Sequence, residues 1–262
     1  MSLRRVFILG MGLWAVCGGA GAAGVRADEV ASVLARAVEA EGRFDAAGAL
    51  ELYLEANRLQ PDNAATLQKI AQQLSDLSLD VATDEERKAQ AEQALAYAKR
   101  AAALAPDNAV NVLSLAVCYG KLAVYSDTRG KITYSRLVKQ EAERAVALDP
   151  GYDWAHHVLG RWHYEVAGLG GATRFFVKVI YGGLPEASQA EAIRHLERAV
   201  ELAPQRVPHR LELGFAYLAA GRKAEARASF ERGLALPSSE LYDEAAKKRA
   251  RAALAKLLKD NP

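Results

Sequence analysis

The chain has 262 residues, 51% of them hydrophobic and 25% charged, enough apolar material for a substantial core. Its formal charge of +2 falls to near neutrality once Arg4, Arg5 and Arg26 are set aside, leaving 31 basic residues against 32 acidic. That balance gives no basic field for nucleic acid, and the dominance of Ala, Leu, Glu, Lys and Arg with no strand-rich stretch excludes a β-rich fold.

In chain order, residues 1–27 read as an export signal and residues 28–262 as a single domain. Arg4 and Arg5 form a charged start, Val6 to Val16 an apolar run, and Gly18 to Gly24 a small-residue stretch leading to Val25-Arg26-Ala27, which fits small-x-small cleavage before Asp28. The expected location is the periplasm. The apolar run is too short to span a bilayer comfortably. Cys17 offers a lipidated start as an alternative, with Val16 where such a site has Gly or Ala, and an uncleaved anchor is a further one. After cleavage Cys118 is the one cysteine left, so no internal disulfide forms and a buried thiol is expected.

From there the chain repeats one phrase: Ala56-x-x-Leu59-x-Pro61, Ala101-x-x-Leu104-x-Pro106, Ala145-x-x-Leu148-x-Pro150, Ala199-x-x-Leu202-x-Pro204, and the variant Gly233-x-x-Leu236-Pro237. The small residue lets two helices approach, the Leu lies on the same face, and the Pro stops the helix. Successive prolines are 45, 44, 54 and 33 residues apart. A tetratricopeptide repeat (TPR) has about 34 residues, so the last unit is regular and the middle ones are enlarged.

Leu213-Gly214-x-x-Tyr217, Gly221 and Ala226-x-x-x-Phe230-x-x-Gly233 reproduce the spacing of that repeat, and Ala49, Tyr53, Ala56 and Pro61 match its second helix in the first unit. Ile70-Ala71-x-x-Leu74 is followed by Thr83-Asp84-Glu85-Glu86, which predicts a capped helix start. Leu115-Ala116-x-x-Tyr119 precedes its partner helix by about ten extra residues, Tyr125 to Tyr134. Leu159-Gly160-x-x-His163 is separated from Ala192-x-x-x-Leu196-x-x-Ala199 by an insertion between Glu165 and Leu184. After Pro237, Ser238 or Ser239 is expected to cap a final helix from Glu240 to Lys259, with Lys247, Lys248, Arg249 and Arg251 on its outer faces. The predicted fold is an all-α, TPR-like α-solenoid of five or so helical hairpins with enlarged middle repeats and a C-terminal capping helix.

The string from His157 through Leu159-Gly160-Arg161-Trp162-His163-Tyr164-Glu165-Val166, followed by Leu169, Arg174 and Gly182-Gly183-Leu184-Pro185, resembles the TPR-like proteins called regulator of microtubule dynamics. With its flanking repeats the resemblance extends over residues 60–235. It implies the solenoid fold, an interaction role and, in animals, microtubules as partner. The export-type start belongs to a different setting, so the fold and the role are carried over and tubulin is not.

Helical spacing places Trp154, His157, Arg161, Tyr164 and Glu165 of the fourth unit on the concave groove, joined by Gln68, Gln72, Ser75 and Asp76 from the second and Lys121 from the third. An aromatic plate, a guanidinium and a phenol suit a protein or peptide partner. The Lys and Asn pattern of carboxylate-clamp repeats is absent. Two alternatives stand beside this scaffold: a peptide or small-ligand protein whose groove is closed by the 165–184 insertion, and a metal-dependent enzyme using the fourth-unit histidines. Against the latter, His156 and His163 are two turns apart, roughly 10 Å, too far to share one ion. His163 fits a packed Tyr position of the repeat, and no HExxH, GxGxxG, GxxxxGK[ST] or nucleophile elbow occurs, so no cofactor and no catalysis are expected. Phe175 to Tyr181, the most apolar stretch after the leader, is expected to pack within the solenoid, with a partner contact or a membrane surface as alternatives.

Overall fold

The computed structural model describes residues 19–78 and 80–259, with side chains from Ala27 onward. Most of the segment expected to be an export signal, with Arg4, Arg5 and Cys17, lies outside the described residues, and the expected cleavage point after Ala27 falls within the first helix. Among the described residues there are twelve helices and no strand. They pair as α1 (Gly19–Gly42) with α2 (Ala46–Leu59), α3 (Ala64–Leu77) with α4 (Asp84–Leu104), and α5 (Ala109–Val124) with α6 (Thr128–Leu148). The fourth hairpin pairs α7 (Asp153–Ala167) with α9 (Gln189–Leu202) around an inserted α8 (Gly171–Tyr181). The fifth joins α10 (Val207–Ala219) to α11 (Lys223–Ala235), and α12 (Asp243–Lys259) closes the stack. No helix among the described residues is long and apolar enough to cross a membrane.

The repeated phrase works through its small residue. Ala101, Ala145 and Ala199 are fully buried and Ala56 nearly so, whereas Leu104 is 49% exposed, so the Leu expected on the packed face is not what holds these helix ends. The first two phrases hand over to a new helix by side-chain capping, Asn63 accepting from the Thr66 amide and Asn108 from the amides of Val110 and Asn111, whereas Tyr152 and Arg206 stand at the cap positions after the next two with no side-chain cap bond. Thr83 forms the expected capping box, its hydroxyl accepting from the Glu86 amide while the Glu86 carboxylate accepts from the Thr83 amide.

Enlargement takes two forms. In the second and third units the extra residues lengthen the outer helices, α4 and α6 having 21 residues each against 13 in α11. In the fourth they form α8, which the sequence expectation placed within the packing. Only Val177 of α8 is buried; Phe175, Phe176, Val179 and Ile180 are all more than half exposed. The insertion is held by its ends, Arg136 donating to the carbonyls of Tyr181 and Gly183 and Arg174 to those of Val166 and Ala167.

At the C-terminus the last helix starts at Asp243 and not at Glu240, and the Asp243 carboxylate accepts from the amides of Ser239 and Glu240 in the preceding turn, so the cap expected of Ser238 or Ser239 is not formed as expected. Lys247 is buried and donates to the Leu236 carbonyl, so it lies inside the cap and not on its outer face. Cys118 is buried, as expected, and burial pushes its thiol up to about 11.

Candidate functional site

Helix α7 presents two opposite faces. At about 100° per residue, His157, Arg161, Tyr164 and Glu165 gather on one side and Leu159, His163 and Val166 on the other, about 180° away. The first side, which spacing assigned to the groove, faces α5 and α10; the second faces the outer helices α6 and α9.

On the groove side, Arg161 and Glu165 are exposed and paired at 2.8 Å, with Tyr164 half-buried beside them. Partial desolvation works against the charge of Arg161, and Glu165 and Glu212 outweigh it. Burial depresses the Lys121 ammonium and Asp76 partly restores it, while burial pushes the Asp76 carboxyl up to about 6 against the opposing pull of Lys121. Gln72 is exposed on the same helix as Asp76, Gln68 donates to the Ser114 hydroxyl at 3.2 Å, and Ser75 is buried against Cys118. The repeats thus bring Asp76, Lys121 and Arg161 from three units into one electrostatic neighbourhood.

Three groove residues were missed by spacing alone: Tyr242, whose hydroxyl donates to the Asp76 carbonyl at 2.7 Å, and the Arg249–Glu212 pair, with Arg249 also over the Phe215 ring at 5.1 Å. They belong to the fifth unit and its cap, far in sequence from the second unit that Tyr242 meets.

Trp154 and His157 do not stand free as the spacing implied. His157 is buried, and Trp154 lies edge-on to both His157 and His209 at 4.9 Å with the Arg206 guanidinium over its ring. They belong to a relay in which His209 Nε2 donates to Asp153 Oδ2 at 2.9 Å and the Nδ1 atoms of His209 and His157 are 3.0 Å apart. Burial raises the Asp153 carboxyl, but the His209 hydrogen bond and the Arg206 charge outweigh it and hold the group low. Burial drives the His157 imidazole well below its ordinary range, so it stays neutral.

The inserted segment does not close the groove. It roofs a cleft of about 930 Å³ on the outer side of α7, bordered by Lys139, His163, Val177, Lys178, Glu191 and His195 among others. All five histidines of the chain are buried, and three of them meet beside this cleft. His156 Nε2 lies 3.1 Å from the Pro150 carbonyl and therefore carries the proton; its Nδ1 accepts from His195 Nδ1 at 3.0 Å. That leaves the His195 Nε2 lone pair outward, where the Arg194 guanidinium donates to it at 2.9 Å. Burial, reinforced by Arg194, holds the His195 imidazole down at about 4.

Residues 34–258 match the family described as Regulator of microtubule dynamics protein 1-3. Similar proteins include Regulator of microtubule dynamics protein 3 of Xenopus laevis, 29% identical over 154 residues, 59% of this chain and 33% of that protein. Another is Regulator of microtubule dynamics protein 1 of Bos taurus, 28% identical over 146 residues, 55% of this chain and 46% of the relative. The chain thus matches between a third and a half of the length of these curated relatives. Among solved structures, a thermophilic TPR protein of Thermus thermophilus superposes with a TM-score of 0.63 at 21% identity, covering 86% of this chain and 99% of the other. That likeness concerns the fold, a TPR architecture. Repeats, inserted fourth unit and matched span together make this chain a member of the regulator of microtubule dynamics family.

Proposed function

We propose that the chain is a non-catalytic scaffold of the bacterial cell envelope, exported through its leader to the periplasm, holding a protein or peptide partner in the concave groove. The observation that carries this reading is the convergence of Asp76, Lys121 and Arg161, from three successive repeats, on one surface with mixed charge and a phenol at its edge. A surface assembled from several repeats suits an extended segment better than a compact metabolite. The relatives carry microtubule dynamics in their name, but the export-type start argues for a different partner here.

The test is recovery of tagged chain from crosslinked cells, comparing wild type with a Gln72→Ala, Arg161→Ala double variant. Both positions are exposed, so folding is expected to be unaffected. Loss of a reproducible set of envelope proteins in the variant is the expected result. An unchanged set recovered by a folded variant would remove the groove from the interaction.

A further inference from the structure

We propose that His163, Glu191 and His195 form a binding site for a divalent transition-metal ion of the zinc class, set between α7 and α9 beneath the inserted helix. One ligand atom from each lies within 4.8 Å of the other two. Glu191 and His195 are four apart on α9 and share a face; His163 comes from α7. Gly160 makes the meeting possible, since a Cβ there would stand 2.8 Å from Leu196 Cγ and 3.1 Å from both the Ala192 carbonyl oxygen and His195 Cβ. Without that close approach the two imidazoles could not stack at 6.0 Å.

Two independent features point to a ligand. His163 borders the cleft, is only 7% exposed, and its Nδ1 has no hydrogen-bond partner. A buried imidazole nitrogen left without a partner costs about 1–3 kcal/mol, which an ion would offset. Second, His195 is already arranged as a ligand: its Nδ1 proton is given to His156, and its Nε2 lone pair faces outward. That is the outer-shell hydrogen bond that fixes ring orientation in metal-binding histidines.

The position is held here by a cation of the protein's own. Arg194 reaches Glu191 Oε2 at 2.6 Å and His195 Nε2 at 2.9 Å, spanning two of the three ligand atoms. Its side chain is 60% exposed and free to swing into solvent, so an ion can replace it. A tetrahedral ion with bonds of about 2.1 Å holds its ligands roughly 3.4 Å apart, so the trio must close by about an ångström. Glu191, 43% exposed, supplies most of that movement, and His163 turns about its Cβ–Cγ bond beside open cleft space. Two imidazoles and one carboxylate suit zinc, iron, nickel or copper better than calcium or magnesium. The remaining coordination positions open to the cleft.

The experiment uses untagged full-length protein stripped with chelator. Zn²⁺ binding is followed by titration calorimetry and Co²⁺ binding by its visible ligand-field bands. One ion per chain is expected, with affinity at least about tenfold weaker in Glu191→Gln, whose exposure keeps the fold safe, and in His163→Gln. Arg194→Ala should bind more tightly than wild type, a gain that a merely structural role for these residues would not produce. Circular dichroism confirms that each variant is folded. Absence of binding, or binding that is equal in wild type, Glu191→Gln and Arg194→Ala, would mean an adventitious ion only and overturn the site.

Discussion

Replacing glycine by alanine at three equivalent-looking helix positions should give effects of opposite sign. At Gly120 on α5 the nearest atom to an added Cβ is Val138 Cγ2 at 3.9 Å, an ordinary contact, so only the helix-propensity gain of about 0.5–1 kcal/mol remains and the variant is stabilised. At Gly160 the new methyl meets Leu196 Cγ at 2.8 Å; that side chain can give way, but the Ala192 carbonyl and His195 Cβ at 3.1 Å are fixed to the α9 backbone. The helices must part by a few tenths of an ångström, and an overpacking cost of about 1–3 kcal/mol exceeds the propensity gain, for a net loss of about 1–2 kcal/mol. At Gly214 the methyl lies 2.5 and 2.6 Å from two ring atoms of Phe230, itself 0% exposed, so the ring has nowhere to go. A net loss of about 2–3 kcal/mol follows there. For a chain of this size each kcal/mol moves the melting temperature by about 2–4 °C. Urea unfolding read by far-ultraviolet circular dichroism gives the global stability, and tryptophan fluorescence in a Trp14→Phe background isolates the fourth unit, since the other two tryptophans, Trp154 and Trp162, both lie on α7. A Gly160→Ala variant as stable as wild type, with an unmoved fluorescence transition, would refute the close-approach argument.

Two other perturbations bear on the groove. The Asp76 carboxyl titrates near 6 in the folded chain against an ordinary value of 3.8, so between those values the folded state holds the extra proton. Stability should therefore fall as the pH rises from 4 toward 7, by about 2–3 kcal/mol from this group, and Asp76→Asn should flatten that descent relative to wild type in denaturation series at pH 4.5 and 7.5. A variant whose stability falls as steeply as that of wild type would show that Asp76 is not buried as described. Tyr242→Phe removes the hydroxyl that reaches the Asp76 carbonyl; a loss of about 0.5–1.5 kcal/mol and faster amide hydrogen exchange around residues 236–243 are expected, and unchanged exchange would detach the C-terminal segment from the groove.

The hairpin count and the Thr83 helix start were legible because they are local: a small residue, a Pro and a capping Thr act within one turn, and the sequence displays each at its own position. What was not legible depends on register between helices distant in sequence. The phrase leucines read as core because their spacing fits the buried face, yet Leu104 and Leu148, the last residues of α4 and α6, are exposed. The apolar string Phe175 to Tyr181 predicted burial, but α8 is attached through backbone carbonyls at its ends and buries only Val177. Glu191 and His195 were not singled out from the sequence, and their meeting with His163 requires the insertion to loop out so that α7 and α9 can pair as in a regular repeat. Trp154 and His157 were assigned to the groove by spacing; His157 is buried and Trp154 half-buried, because His209 from the next unit packs against both rings.

The two faces of α7 also explain why an insertion could be accepted in this unit without sacrificing the groove. Inserted residues leave the end of α7 at Ala167 and return at Gln189, and both points lie at the same end of the hairpin. From there the segment can fold to either side of α7. Arg174, anchored to the Val166 and Ala167 carbonyls, and Arg136 of α6, which holds the Tyr181 and Gly183 carbonyls, fix it on the outer side. The inner side keeps Arg161 and Glu165 open while the outer gains a roofed cleft containing His163. One helix thus serves two sites, and Gly160, which sets how closely α7 meets α9, controls the outer one directly. A substitution that parts those helices should weaken metal binding at His163, Glu191 and His195 while leaving the Arg161–Glu165 pair in place, whereas Arg161→Ala should do the reverse.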